Sequence, residues 1–186
     1  NGGISSINAI FFSPLIDILS LASGHFNNDG ILDLAVGYIN TSFNDFGGEI
    51  VIYSGTGDTS GSPFDGWTNP YPTSNKYPKK LISVNYNGYA LDELLVVYDP
   101  YISTNSVDES RETSEVLQVN SAGELESFIA INAFGVQAAA TGDIDGQGTF
   151  DVAALTRNGI EIFLNGNVNN QNPNQFIPLD IAYNDI

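Results

Sequence analysis

The sequence predicts an all-β protein built from a repeated unit, and three observations carry that expectation. First, short apolar runs rich in β-branched and aromatic residues recur along the whole chain, separated by Gly/Asn/Asp clusters. Second, no window holds a sustained 3.6-residue apolar stripe; Leu15 to Ala22 is the nearest, and its place in the repeat favours a strand. Third, three segments follow one plan of apolar strand, polar loop and apolar strand. They are Leu19 to Gly37 (LSLASGHFNNDGILDLAVG), Leu81 to Val97 (LISVNYNGYALDELLVV) and Gln137 to Leu155 (QAAATGDIDGQGTFDVAAL). The first polar loop residues, His25, Asn85 and Asp143, stand 60 and 58 residues apart.

Each unit continues with further strands. The first is expected to hold Ile31 to Tyr38 and Gly48 to Gly55. Glu93 to Tyr98, Glu115 to Val119 and Leu125 to Asn132 follow in the second. Phe150 to Thr156, Gly159 to Asn165 and Gln175 to Tyr183 follow in the third. About four strands per unit is the content of one four-stranded antiparallel β-propeller blade. The chain is therefore expected to form about three blades, in approximate units 1–70, 71–132 and 133–186. One such unit cannot bury both faces, so the blades must stack. Residues 54–80 and 99–114 read as long connections outside the repeat, the second acidic and solvated.

The residues of the first loop carry a family resemblance. Gly24-x-x-Asn27-x-Asp29-Gly30-x-x-Asp33-Leu-Ala-Val-Gly37, followed by Gly47-Gly48-Glu-Ile-Val-Ile-Tyr53, resembles an FG-GAP repeat of the integrin α-subunit type. Phe134-Gly135 followed by TGDIDGQGTFDVAAL resembles the same repeat and the related VCBS repeat. The resemblance implies a β-propeller, usually of seven blades, with calcium held in the loops between the first two strands of a blade. It also implies an extracellular or cell-surface location. Three blades do not close such a ring, so the reading is a partial propeller completed by further sequence or by other chains, as a homo-oligomer or part of a larger chain.

Calcium takes six to eight oxygen ligands, which a short loop supplies when alternate residues point inward. In the third loop Asp143, Asp145, Gln147 and Asp151 fall at positions 1, 3, 5 and 9, Thr149 offers its carbonyl at position 7, and Gly148 permits the turn. This is the best candidate site. The first loop offers Asn27, Asp29 and Asp33 with the Ile31 carbonyl, but His25 stands where the family usually has Asp. An imidazole is a poor calcium ligand, so His25 reads as a solvated or hydrogen-bonded loop residue. The second loop keeps Asn85, Asn87 and Glu93, while Tyr89 replaces the central acid and Ala90 the glycine. It is expected to be an empty structural turn.

Composition narrows the function. With 22 acidic and 5 basic residues the net charge is -17, which repels nucleic acid and anionic membrane surfaces. No stretch is long and apolar enough to span a bilayer as a helix. There is no cysteine, so disulfides and thiol chemistry are excluded, and the absence of methionine reads as a processed or trimmed chain without a signal peptide. The single histidine, His25, lies inside a loop of the metal type, and no phosphate loop or marked carboxylate pair occurs, so no catalysis is expected. Trp67 and Tyr71, in the long 54–80 segment, either line a surface for a glycan or extracellular protein ligand or pack that segment onto its own blade. Asn40-Thr41-Ser42 is the one glycosylation sequon. Two functional classes stand: a non-catalytic, extracellular, calcium-binding module for adhesion or recognition, or a structural subunit of a surface fibre, appendage or layer whose blades neighbouring chains complete.

Overall fold

The computed structural model describes residues 16–40, 48–58, 62–73, 76–100, 114–133, 135–156, 158–164 and 175–178. Among them every element is a β-strand. The strands form three antiparallel sheets, each an up-and-down meander. The first sheet holds β1 (Ile16–Gly24), β2 (Asp33–Asn40), β3 (Gly48–Gly55) and β4 (Phe64–Trp67), with β5 (Tyr71–Pro72) also on β3. The second orders β6 (Lys76–Val84), β7 (Glu93–Pro100), β8 (Ser114–Val119) and β9 (Leu125–Ile131). The third orders β10 (Ala138–Gly142), β11 (Asp151–Leu155), β12 (Gly159–Phe163) and β13 (Gln175–Pro178). The strands expected at Gly48 to Gly55, in 93–98, in 115–119 and in 125–132 all form, and the sheets make an open row.

One expectation is corrected. The 54–80 segment is not a single long connection: β4 and β5 divide between them the outer edge of β3, and β6 begins at Lys76. Gly66 hides β4 from a period-two reading. It is an extra residue between Asp65, which pairs with Ser54, and Trp67, which pairs with Tyr53, and its φ of 69° is one that glycine adopts without strain. Residues 59–61, 74–75 and the 101–113 connection lie outside the described residues.

Alternation along each strand decides how the sheets stack. In β7, Leu94, Val96 and Tyr98 join Phe26, Ala35, Ile50 and Ile52 in a core between the first and second sheets. Leu95 and Val97, between them in sequence, join Val152, Ala154 and Phe163 in a core between the second and third. The middle sheet is thus buried on both faces, which is why Leu94 to Tyr98 reads as an unbroken apolar run rather than an alternating one. Each fully buried Leu or Val here contributes about 1.5–3 kcal/mol relative to exposure. Close backbone approach helps: a Cβ on Gly24 would lie 2.4 Å from Ser83 Oγ, and one on Gly48 would lie 2.2 Å from Pro78 Cδ. Bulges recur at equivalent places, between Ile18 and Ser20 in β1 and between Pro78 and Lys80 in β6.

Candidate metal site

The three repeat loops, residues 25–32, 85–92 and 143–150, each join the first two strands of a sheet and lie at one end of the stack. Each closes on the residue that opens the next strand. That residue is Asp33, Glu93 or Asp151, and all three are buried. Each carboxylate accepts two successive backbone N–H groups from its own loop. Asp33 Oδ2 accepts from Phe26 at 2.9 Å and Asn27 at 3.1 Å. Glu93 Oε2 accepts from Tyr86 at 2.7 Å and Asn87 at 3.2 Å. Asp151 Oδ2 accepts from Ile144 at 2.8 Å and Asp145 at 3.3 Å. Burial of a carboxylate is tolerated because these charge-assisted bonds satisfy it. The acid at position 9 is therefore a staple for the loop whether or not an ion is present, a role the ligand spacing alone did not reveal.

Position 3 separates the loops. Asn27 Oδ1 accepts from the Asp29 N–H at 3.0 Å, which turns its amide nitrogen toward Asp33, 3.2 Å from Oδ1. Asp33 Oδ1 also accepts from the Gly55 N–H at 2.9 Å, so both oxygens are engaged. Asn87 repeats the arrangement, accepting from the Tyr89 N–H at 2.8 Å and donating its amide to Glu93. Asp145 accepts from the Gln147 N–H at 3.0 Å in the same way, but an ionised carboxylate has no proton to give Asp151. Asp143, whose Oδ2 accepts from the Gly148 N–H at 3.0 Å, completes the set. Oxygens of Asp143, Asp145 and Asp151 lie within 4.8 Å of one another, the one such acidic group among the described residues. Gly146 and Gly148, at φ 77° and 86°, make the turns that fold the loop back on itself.

The remaining positions fall as follows. Gln147 is exposed at the loop tip, and Thr149 is half-buried, its methyl standing over Gly88 of the second loop. Asp29 Oδ1 accepts from the Ile31 N–H at 2.7 Å, so the Asp29 side chain folds onto its own turn. Asn85 donates to the Tyr89 carbonyl. His25 is turned to the second loop: its N–H donates to Asp92 Oδ2 at 2.8 Å, and its Nδ1 lies 3.8 Å from the same oxygen. Burial, foremost, and the nearby Asp92 charge push the Glu93 carboxyl above its ordinary value, against the opposing pull of the Asn87 and Tyr86 N–H groups.

Tyr71 is taken up by packing. Its ring lies against the core of the first two sheets, and its hydroxyl donates to Glu115 Oε2 at 3.5 Å while Tyr98 donates to the other oxygen. Burial, then the Glu115 charge, push the Tyr71 hydroxyl up to about 12. The Trp67 backbone pairs with Tyr53, and its side chain lies outside the described residues. Asn40 is half-buried at the end of β2; Thr41 and Ser42 of its sequon, and Phe134 of the second motif, also lie outside them. No described helix is long and apolar enough to cross a membrane. No protein-family model matches the chain, and no curated protein matches it.

Proposed function

We propose that the chain is a row of β-propeller-type blades that holds one calcium ion in its third loop and serves as a non-catalytic, extracellular recognition or adhesion module. The observation that carries this reading is the contrast at position 3. Asn27 and Asn87 neutralise the staple acid with an amide N–H, whereas Asp145 adds a second carboxylate and leaves the third loop in need of a cation. Three carboxylates gathered in one loop offer hard oxygen donors that suit calcium. The first and second loops, held by their own amides, are then structural turns, which narrows the sequence expectation of a second ion at Asn27, Asp29, Ile31 and Asp33. The resemblance to FG-GAP and VCBS repeats supports the propeller geometry, the extracellular setting and the glycan or protein ligand.

Isothermal calorimetry tests the reading. Titration with calcium chloride is expected to show one ion per chain, with magnesium binding more weakly because it demands a smaller octahedral shell. A chain that takes up no calcium, or whose uptake survives Asp143→Ala together with Asp145→Ala, refutes it. Binding only to the folded state adds about 2.7 kcal/mol of stability at a hundredfold excess of calcium over Kd, so chelation should lower Tm in parallel.

A further inference from the structure

The second loop is pinned at both ends by backbone rungs. At position 8 the Asp92 N–H donates to the His25 carbonyl, position 1 of the first loop, at 2.9 Å. At position 1 the Asn85 carbonyl accepts from the Phe150 N–H, position 8 of the third loop, at 3.3 Å. Between these rungs, at positions 3 and 4, stand Asn87 and Gly88. The joint to the third loop calls for the glycine. Its φ is 73°, and a Cβ there would meet the Thr149 methyl at 3.0 Å.

An asparagine followed by glycine is a reactive pair, because a backbone nitrogen with no side chain beside it can reach the preceding side-chain amide. Attack of the Gly88 nitrogen on Asn87 Cγ forms a C–N bond and closes a succinimide ring. The bond from Cγ to Nδ2 breaks, the Gly88 proton passes through water to Nδ2, and ammonia leaves. Water then opens the ring at either carbonyl, leaving aspartate or its backbone-linked isomer, isoaspartate. Two features of the loop favour the first step. Gly88 is exposed, and no hydrogen bond takes its N–H among the described residues. The Tyr89 N–H donates to Asn87 Oδ1 at 2.8 Å, where negative charge develops as Cγ is attacked. Asn27 is the internal control. Its amide makes the same two kinds of bond, to the Asp29 N–H and to Asp33, but Asn28 follows it in place of glycine.

We propose that Asn87 is a deamidation site, and that its conversion to aspartate changes the second loop from a self-satisfied turn into one that needs a cation. The product carries Asp-Gly at positions 3 and 4, as the third loop does in Asp145-Gly146. Its carboxylate can still accept from the Tyr89 N–H, but it has no proton to give Glu93. Two carboxylates then face each other, one of them buried, as Asp145 and Asp151 do in the third loop. The deamidation stands apart from the cation reading of the third loop; the need for a cation rests on it.

The test begins by ageing the wild-type chain in mildly alkaline buffer and mapping its peptides by mass spectrometry. Acid at Asn87 should accumulate about tenfold or more faster than at Asn27, since only the former has an unhindered attacking nitrogen. Asn158, exposed and also followed by a glycine, shows that conditions allow the reaction. Asn87 still an amide when Asn158 has converted, or Asn27 keeping pace with Asn87, overturns the modification. Asn87→Asp then supplies the aspartate product in pure form. Its urea midpoint in chelator should fall below that of wild type, and calcium should restore part of the difference. Equal midpoints in chelator, or a loss that calcium does not repair, overturn the change in the loop. Calorimetry of wild type reads the third loop by itself, so failure of the cation reading and failure of the modification are distinct results.

Discussion

The side-chain amide of Asn27 donates to the buried carboxylate of Asp33 across 3.2 Å, filling from within the loop the place a cation would neutralise. Asn27→Asp replaces that donor with a second negative charge. Without metal the variant should lose about 1–3 kcal/mol, the usual cost of a buried acceptor deprived of its donor. Calcium should then restore part of the loss. Urea denaturation in chelator and in calcium checks this; equal midpoints in the two buffers would count against the amide as a stand-in for the ion.

The mirror substitution belongs to the third loop. Asp145→Asn gives Asp151 an amide neighbour, as in the first two loops. Calcium affinity should fall at least tenfold, about 1.4 kcal/mol, while stability in chelator rises. Calorimetry and thermal melting of the same preparation measure both quantities, and a fall in both would mean that Asp145 acts only as a turn former.

Asp33→Ala deletes the acceptor for the Phe26, Asn27 and Gly55 N–H groups together. With three donors orphaned in a buried site, a loss of about 3 kcal/mol or more is expected. Asp33→Asn keeps an oxygen acceptor and should recover part of it. Denaturation midpoints of the two variants decide the matter, since a purely electrostatic role would make them equally unstable.

Glu93 gives a pH dependence whose sign follows from its raised carboxyl. The folded form holds the proton more tightly than the unfolded chain, so Glu93 favours folding below its ordinary value of 4.5, and that contribution is lost as pH rises through the higher folded value. Glu93→Gln removes this loss. Relative to wild type, the Tm of the variant should therefore rise between pH 4.5 and about pH 7. A difference that stays flat across the range would show that the charge is not the cause.

Much of the architecture was legible because burial writes itself into pattern. Gly48 to Gly55 alternates faces, Leu94 to Val97 is apolar throughout because both its faces are covered, and loop anchors near a 60-residue period mark the units. β4 was not legible, since Gly66 breaks its alternation and two prolines follow nearby. The third loop announced its acids, but composition could not say that Asp33, Glu93 and Asp151 are staples, or that the Asn27 and Asn87 amides turn inward. That depends on which end of each amide the Asp29 and Tyr89 N–H groups select. Nor did the sequence show His25 reaching across to Asp92, a contact between residues 67 positions apart.

The rungs that join position 8 of one loop to position 1 of the loop before it have an evolutionary consequence. All three loops hold eight residues between their flanking strands, whereas the units themselves stand 60 and 58 residues apart. An insertion or deletion inside a loop would displace its backbone rung to the neighbouring loop and its carboxylate staple at once. Changes of length are therefore expected to accumulate in the far connections of each sheet, leaving the loop end as the fixed edge from which the array can be lengthened or shortened by whole units.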